Sequence, residues 1–439
     1  MITTAGILLA LLPAPVQDGG DRPYLEAARE AARWLASVAV ETEHGLRWPP
    51  DPARPEGESD ALYSGSAGVV LFLLELGRAT GDAAYGEQAR KGADHLLARL
   101  PEELGETPAG LYTGIAGIGF TLLQAHRATG EERYAEGARR CVALLHGGAR
   151  EAEGGVEWND STDVVYGSAG IGFFLMYAAD HLEDPASLKL TTRAGRRLLV
   201  LARRDEEAQT LHWPMTPTFP RLMPNYSHGT AGVAAFLATL HGETGEEAFL
   251  HAALAGARTL LGAADTEGEG FRLFHHEPGG EELYYLGWCH GPSGTARLFQ
   301  ILARVTGDGE WEAWVARCGD ALLASGIPAE RPPGFWNNVG QCCGSAGVAS
   351  FLLQGPHGEN RERYVALARE LTRDLLERGT RDGSGLRWVH AEHRVRPELL
   401  QAQTGYMQGA AGIGLWLLQL DAFEQGGAER LRLPDDPFP

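Results

Sequence analysis

Gly65-Ser66-Ala67-Gly68-Val69-Val70-Leu71-Phe72-Leu73-Leu74 joins a turn of small residues to a run without a single charge. The same Gly-x-small-Gly signature returns at Gly114-Ile115-Ala116-Gly117, Gly167-Ser168-Ala169-Gly170 and Gly229-Thr230-Ala231-Gly232. It appears again at Gly291-Pro292-Ser293-Gly294, Gly344-Ser345-Ala346-Gly347 and Gly409-Ala410-Ala411-Gly412. Intervals of 49, 53, 62, 62, 53 and 65 residues between the first glycines leave room for two helices and a loop in each unit.

The second helix is legible as well. Residues 83–100, 132–149, 247–264, 309–326 and 361–379 carry Arg, Glu and Ala on a 3.6-residue period. A helix that is apolar all round belongs inside, and one with a charged face belongs outside. Seven inner and seven outer helices in alternation predict an all-α fold, a closed α/α toroid spanning residues 21–439 as one domain. Close approach of neighbouring inner helices and the unusual backbone angles of a loop-to-helix turn are the expected reasons for the glycines. Gly45-Leu46-Arg47-Trp48, Gly155-Val156-Glu157-Trp158 and Gly385-Leu386-Arg387-Trp388 read as short strands or loops over one mouth of the ring.

Composition narrows the function. The chain has 439 residues, 44% hydrophobic and 22% charged, with a net charge of −20. Such an acidic balance offers nothing to a polyanion, so no nucleic-acid partner is expected. Ala5-Gly6-Ile7-Leu8-Leu9-Ala10-Leu11-Leu12 is too short to span a bilayer and suits a signal-peptide core, but no Lys or Arg precedes it. Residues 1–20 are therefore signal-like or a frayed terminus. No membrane span is expected, and the cytoplasm is the expected location, with export as the alternative.

The residues just before the seven signatures are Ser64, Thr113, Tyr166, His228, His290, Cys343 and Gln408. All can donate or accept a hydrogen bond or bind a metal, which predicts a polar cavity at one end of the ring. One residue further back stand Cys289 and Cys342, on consecutive units. Zinc takes thiolate and imidazole in tetrahedral geometry, and a catalytic site leaves the fourth position open. Cys289, Cys342 and Cys343 fit three ligands to one Zn2+ ion. His290 as a fourth ligand would instead close the site into a structural one. Cys141 and Cys318 fall in outer-helix patterns and read as packing, while His275, His276, His390 and His393 read as surface histidines. A toroidal glycosidase would need two carboxylates across the cavity, and none of the seven slots holds one.

Trp288-Cys289-His290-Gly291, Cys342-Cys343-Gly344 and Ser227-His228-Gly229 in this setting resemble the lanthionine synthetase C-like family, over nearly the whole chain. The resemblance implies a double ring of helices with one zinc at its mouth. It implies a cyclase that adds thiols to dehydroalanine or dehydrobutyrine to form thioethers. Cys289 and Cys342 match two zinc ligands, and Cys343 stands where many members have His. His228 matches the family's active-site histidine, with a core histidine as the alternative, and Asp163 matches the acidic residue that supports it. Tyr285 and His290 occupy places where cyclases often have Arg and Tyr. Both are expected to stabilise an enolate oxygen, with His228 supplying the proton. Trp-Cys-His-Gly is closer to the eukaryotic branch, which resembles glutathione-handling enzymes. The expected partners are thus a dehydrated thiol peptide, with a separate dehydratase, or glutathione. A zinc-bearing peptide-binding protein without turnover is the non-enzymatic alternative.

Overall fold

The computed structural model describes residues 22–438 apart from 267, 269, 356, 428 and 429. The apolar run at residues 5–12 and its signal-like reading lie outside the described residues.

Fourteen helices alternate between two concentric rings among the described residues. The outer helices are α1 (Pro23–Val38), α3 (Ala83–Ala98), α5 (Glu132–Gly148), α7 (Pro185–Leu201), α9 (Glu247–Ala263), α11 (Glu310–Ala324) and α13 (Arg361–Glu377). The inner helices are α2 (Ser66–Thr80), α4 (Ile115–Thr129), α6 (Ser168–His181), α8 (Thr230–Thr244), α10 (Pro292–Thr306), α12 (Ser345–Gln354) and α14 (Ala410–Glu424). Each inner helix packs against the next, and α14 returns to α2 to close the ring. The first and last described helices meet at the seam, where α1 packs on α14 and Arg22 pairs with Asp421. Burial follows the patterning. The first nine residues of α8 are all buried, whereas α5 buries a stripe through Tyr134, Ala138, Cys141 and Leu145 at helical spacing.

Every signature opens an inner helix, and its second glycine is crowded from two sides. In all seven copies a Cβ on the second glycine would come within 1.7–2.8 Å of the carbonyl oxygen six residues earlier, for example 1.9 Å between Gly294 and Trp288. The chain curls back over the first turn of its own helix, and a side chain there would collide with backbone. The neighbouring unit also crowds the second glycine, where a Cβ would meet Val164 at 2.7 Å (Gly232) or Tyr226 at 2.9 Å (Gly294), and close packing continues further along the helices at Gly119, Gly172 and Gly414. The rings of Phe174, Phe236 and Phe72 press on these three so closely that a β-carbon would meet them at 2.4–2.5 Å.

The turns entering the inner helices are tied into a ring of backbone hydrogen bonds. Met407 N–H donates to Tyr63 O (2.8 Å), Tyr63 to Tyr112 (2.7 Å) and Tyr112 to Val165 (3.3 Å). Val164 donates to Ser227 (3.3 Å), Ser227 to Cys289 (3.0 Å), Cys289 to Cys342 (3.0 Å) and Cys342 to Met407 (3.0 Å). The circuit visits all seven units and slips by one residue at Val164–Val165.

At the far end, four inner helices stop at a Thr-Gly pair. Gly81, Gly130, Gly245 and Gly307 take the left-handed conformation, with φ of 69–71°. The preceding threonines bond back to the carbonyl four residues earlier, at 2.7 Å in each case. The C-terminal segment turns in between the inner helices. There the Tyr112 hydroxyl donates to buried Asp435 (2.9 Å), and Asp436 pairs with Arg297 (3.3 Å) and Arg430 (2.8 Å).

The Gly-x-x-Trp segments are strands, but they lie against the outer helices rather than over the mouth. The hairpins are β1 (Val40–Thr42) with β2 (Gly45–Arg47), β3 (Arg150–Ala152) with β4 (Gly155–Glu157), and β7 (Thr380–Asp382) with β8 (Gly385–Arg387). A fourth, β5 (Arg203–Asp205) with β6 (Thr210–His212), escapes the motif because Thr210 holds the glycine position. Gly45, Gly155 and Gly385 abut Lys91, Arg193 and Glu30 of the adjoining outer helix so closely that a Cβ would sit 1.9–2.3 Å from the carbonyl oxygen.

The four tryptophans that follow the hairpins point back to the helix they left. Their indole N–H groups donate to Leu35 O (Trp48, 2.9 Å), Leu145 O (Trp158, 2.7 Å), Leu198 O (Trp213, 2.7 Å) and Leu375 O (Trp388, 2.8 Å). Each acceptor lies in the last turn of an outer helix, whose final carbonyls have no partner within the helix. Trp388→Phe preserves most of the ring volume but strands the Leu375 carbonyl. We expect a loss of about 1–3 kcal/mol in stability by urea denaturation, the cost of an unpaired buried acceptor.

Candidate metal centre

The residues of the seven slots, Ser64, Thr113, Tyr166, His228, His290, Cys343 and Gln408, all line one cavity of about 680 Å³ at the N-terminal ends of the inner helices. Backbone hydrogen bonding fixes Cys289 and Cys342 side by side on its wall. Cys343 follows, with its sulfur 3.0 Å from that of Cys289 and 3.4 Å from that of Cys342. All three thiols are buried and free, and their sulfurs lie within 4.8 Å of one another. Thiolates at about 2.3 Å from a tetrahedral zinc stand about 3.8 Å apart, so the cluster needs only a small expansion to seat the ion. The donor set therefore fits zinc. In the thiol cluster Cys342 accepts hydrogen bonds from Cys289 and Cys343, which hold its pKa well below the usual thiol value. Burial pushes Cys289 in the opposite direction.

His290 does not join this donor group. Its ring stacks on His275 (centroids 4.0 Å apart) and faces Tyr285 (5.6 Å) and His228 (5.8 Å). Burial, reinforced by His275 and His228, holds its pKa well below normal, so the ring is neutral at pH 7. Tyr285 is raised by the same desolvation and contacts Arg394.

Asp163 and His228 come together across 65 residues of sequence. Asp163 is fully buried, and its Oδ2 lies 2.6 Å from His228 Nδ1. Its Oδ1 accepts the backbone N–H groups of Tyr166 and Gly167, both at 2.8 Å. The carboxylate is thus aimed by the turn that enters α6, and it draws the Nδ1 proton of His228. That tautomer leaves Nε2 as the free nitrogen. The Tyr166 ring lies nearly parallel to the imidazole, with centroids 5.6 Å apart.

His393 is exposed as expected, whereas His390 and His275 are not surface residues. His390 is buried, with Nε2 2.7 Å from the Gln408 carbonyl, and His275 and His393 line the cavity. Arg394 and Tyr63 also line it, as do the carboxylates of Asp51 and Glu392. Asp51 is engaged by Arg54 (3.0 Å) and Gln401 (2.9 Å), and Glu392 by Gln403 (2.9 Å). Tyr63 is readable in principle. It holds the same slot as Cys289 and Cys342, two residues before a first glycine. Cys141 and Cys318 are buried in α5 and α11 as packing residues.

Burial lowers the pKa of His390 from 6.5 to about 4. The folded protein therefore binds fewer protons there than the unfolded chain, and stability falls as pH drops from 6.5 toward 4. A shift of this size corresponds to on the order of 3 kcal/mol. His390→Gln should flatten the stability-versus-pH curve over that window relative to wild type, measured by denaturant midpoints.

The sequence matches the family model described as lanthionine synthetase C-like protein over residues 56–425. No curated protein sequence matches it significantly. Among solved structures, nisin cyclase superposes over 92% of this chain and 94% of its own, with a TM-score of 0.61 at 15% identity. An unsaturated glucuronyl hydrolase specific for heparin covers 94% of this chain and 100% of its own at 11% identity, with a TM-score of 0.47. D-mannose isomerase covers 70% and 87% at 14% identity, with a TM-score of 0.44. Those last two likenesses are too weak to carry an inference. With a family model spanning most of its length and the double helical ring in place, this chain belongs to the lanthionine synthetase C-like protein family.

Proposed function

We propose that the mouth is a zinc-dependent active site that adds a thiol to a dehydroamino acid, forming the thioether of a lanthionine-type crosslink. The observation that carries this reading is the Asp163–His228 pair opening onto the same cavity as three buried, converging cysteines. Zinc held by Cys289, Cys342 and Cys343 supplies the positive charge that lets a substrate thiol ionise at neutral pH.

The protein's own groups handle the proton and the developing charge. His228 Nε2 takes the proton of the substrate thiol while Asp163 stabilises the imidazolium through Nδ1. The sulfur bonds to the β-carbon of dehydroalanine or dehydrobutyrine. The π electrons move toward the α-carbon and the adjoining carbonyl oxygen as an enolate. His228 then returns the proton to the α-carbon, so atoms and charge balance. His290, neutral at this pH, cannot deliver that proton as a cation. Its ring N–H and the Tyr285 hydroxyl serve instead as donors to the enolate oxygen.

A peptide substrate is favoured by the rim. Of six large hydrophobic side chains exposed among the described residues, Tyr166, Val389, Val395, Leu399 and Leu400 lie on segments bordering the mouth. A small, strongly polar thiol such as glutathione has no use for them. The dehydrated residues would come from a separate dehydratase.

The test uses a synthetic peptide carrying one dehydroalanine and one cysteine, with glutathione plus the same peptide lacking cysteine as the second arm. Thioether formation is followed by mass spectrometry after thiol alkylation. We expect His228→Ala to slow the reaction ~100- to 10,000-fold and Asp163→Asn to slow it at least ~10-fold, both with the metal retained. Thioether formation at the wild-type rate in His228→Ala overturns the assignment.

A further inference from the structure

One permanent cation at the mouth has no part in the chemistry above. Two guanidinium groups line the mouth cavity, those of Arg54 and Arg394. Arg54 is paired with Asp51 at 3.0 Å. Arg394 has no carboxylate partner among the described residues, and its Nε is buried without a hydrogen bond. Acids are not scarce, since the chain has 58 Asp and Glu against 38 Lys and Arg. Those in the cavity are engaged elsewhere, Asp51 also by Gln401 Nε2 (2.9 Å) and Glu392 by Gln403 Nε2 (2.9 Å).

Arg394 stands on a short hairpin that the wall of the mouth fixes in place. Strand β9 (His390–Ala391) pairs antiparallel with β10 (Leu400–Gln401). The Ala391 N–H donates to Asn337 O (2.9 Å), and its carbonyl accepts from Trp336 Nε1 (2.9 Å) and Asn338 Nδ2 (3.1 Å). His390 Nε2 meets the Gln408 carbonyl at 2.7 Å, and the Arg396 N–H closes a turn onto His393 O at 3.0 Å. The Trp336 ring that holds Ala391 also lies 5.1 Å from the Tyr285 ring. The hairpin is thus fastened beside the wall that carries Tyr285. Burial, with His276 and Arg394 nearby, lowers His275 to about 4, so that ring adds no charge at neutral pH.

A guanidinium held partly out of water with no acid beside it gains most when an anionic oxygen arrives. We propose that Arg394 is a catalytic residue of the thiol addition, donating hydrogen bonds from its terminal nitrogens to the carbonyl oxygen that becomes the enolate. The inference rests on the thioether-forming reading above and names the group that meets the charge. As the sulfur bonds to the β-carbon, the π pair moves toward the α-carbon and carbonyl, and negative charge arrives on the oxygen. Arg394 keeps its protons throughout, and the proton for the α-carbon comes from His228. His290 and Tyr285 offer neutral donors to the same oxygen, whereas Arg394 offers a full positive charge. That charge develops only as the sulfur attacks, so the contact stabilises the transition state more than the bound substrate.

The test needs a substrate with no other anionic oxygen for Arg394 to hold. A peptide with one dehydroalanine and one cysteine, amidated at its C-terminus and free of acidic side chains, meets that need. Arg394→Gln should lower kcat by ~100- to 1,000-fold, the usual cost of losing one donor to a developing oxyanion. KM should stay within about 3-fold of wild type, because the ground-state carbonyl is neutral. Calorimetric binding of the same peptide with alanine in place of dehydroalanine should be unchanged, and the metal content retained. Arg394→Lys keeps the charge but loses the planar fork, and should cost about 10-fold in kcat. It decides the matter if Arg394→Gln fails to fold. Wild-type kcat in the folded variants, or a loss confined to KM and to binding of the alanine peptide, would overturn the role of Arg394 while leaving thioether formation standing. A wild-type protein that forms no thioether would overturn the reading on which the role rests, and the role with it.

Discussion

A seven-membered circuit of backbone hydrogen bonds around the mouth is the constraint on which everything else depends. Each turn into an inner helix gives its N–H to the next turn and receives one from the turn before. The units are therefore locked in register irrespective of their side chains. Residues that share a position relative to their glycines then share a level in the ring, and the side chains that follow point into one cavity. Two cysteines from consecutive units become neighbours because Cys289 N–H is bonded to Cys342 O, 3.0 Å away. No feature of the cysteines themselves would bring them together. The glycines are what make the circuit sterically possible, since the turn must lie flat on its own helix.

The polarity of the mouth follows from the same geometry. Seven helix N-termini converge there, and although many of their first N–H groups are bonded to carbonyls of the preceding turn, the aligned dipoles favour electron-rich groups nearby. Thiolates, a buried carboxylate and an enolate are all species that such an environment stabilises. Asp163 sits where such a charge is held, its Oδ1 satisfied by two backbone amides of the turn just before α6 while its other oxygen serves His228. Histidines packed in the same wall, His275 and His290, are kept neutral by burial. One histidine with a carboxylate partner among several without one is how a single acid–base group is singled out.

Much of this is legible in the sequence, for identifiable reasons. Apolar runs after the glycine signatures and amphipathic stretches between them mark the two helical layers, because burial on all sides and burial on one stripe leave different periodicities. The seven cavity-lining slots can be counted from the glycines alone. What escapes are contacts set by tertiary packing. The tryptophans after the hairpins bond to carbonyls 13 or 15 residues earlier, a spacing with no helical or strand signature. His390 looks like a loop histidine because nothing local says that its loop is tucked under Gln408. Asp163 and His228 are 65 residues apart, and their pairing rests on family resemblance, since no pattern in the chain announces it. Tyr63 is readable only by comparing its slot with those of Cys289 and Cys342. A tyrosine in that slot stands out only once the cysteines of two other units are seen to meet there.

The central claim is that three cysteines hold one zinc with a coordination position left for substrate. Zinc K-edge X-ray absorption on the purified wild-type protein, together with metal content, tests it most directly. The account predicts about one zinc per chain, three sulfurs near ~2.3 Å, and a single light ligand that an added thiol replaces with a fourth sulfur. A chain without zinc, or a shell completed by a fixed imidazole that added thiol does not displace, would contradict it.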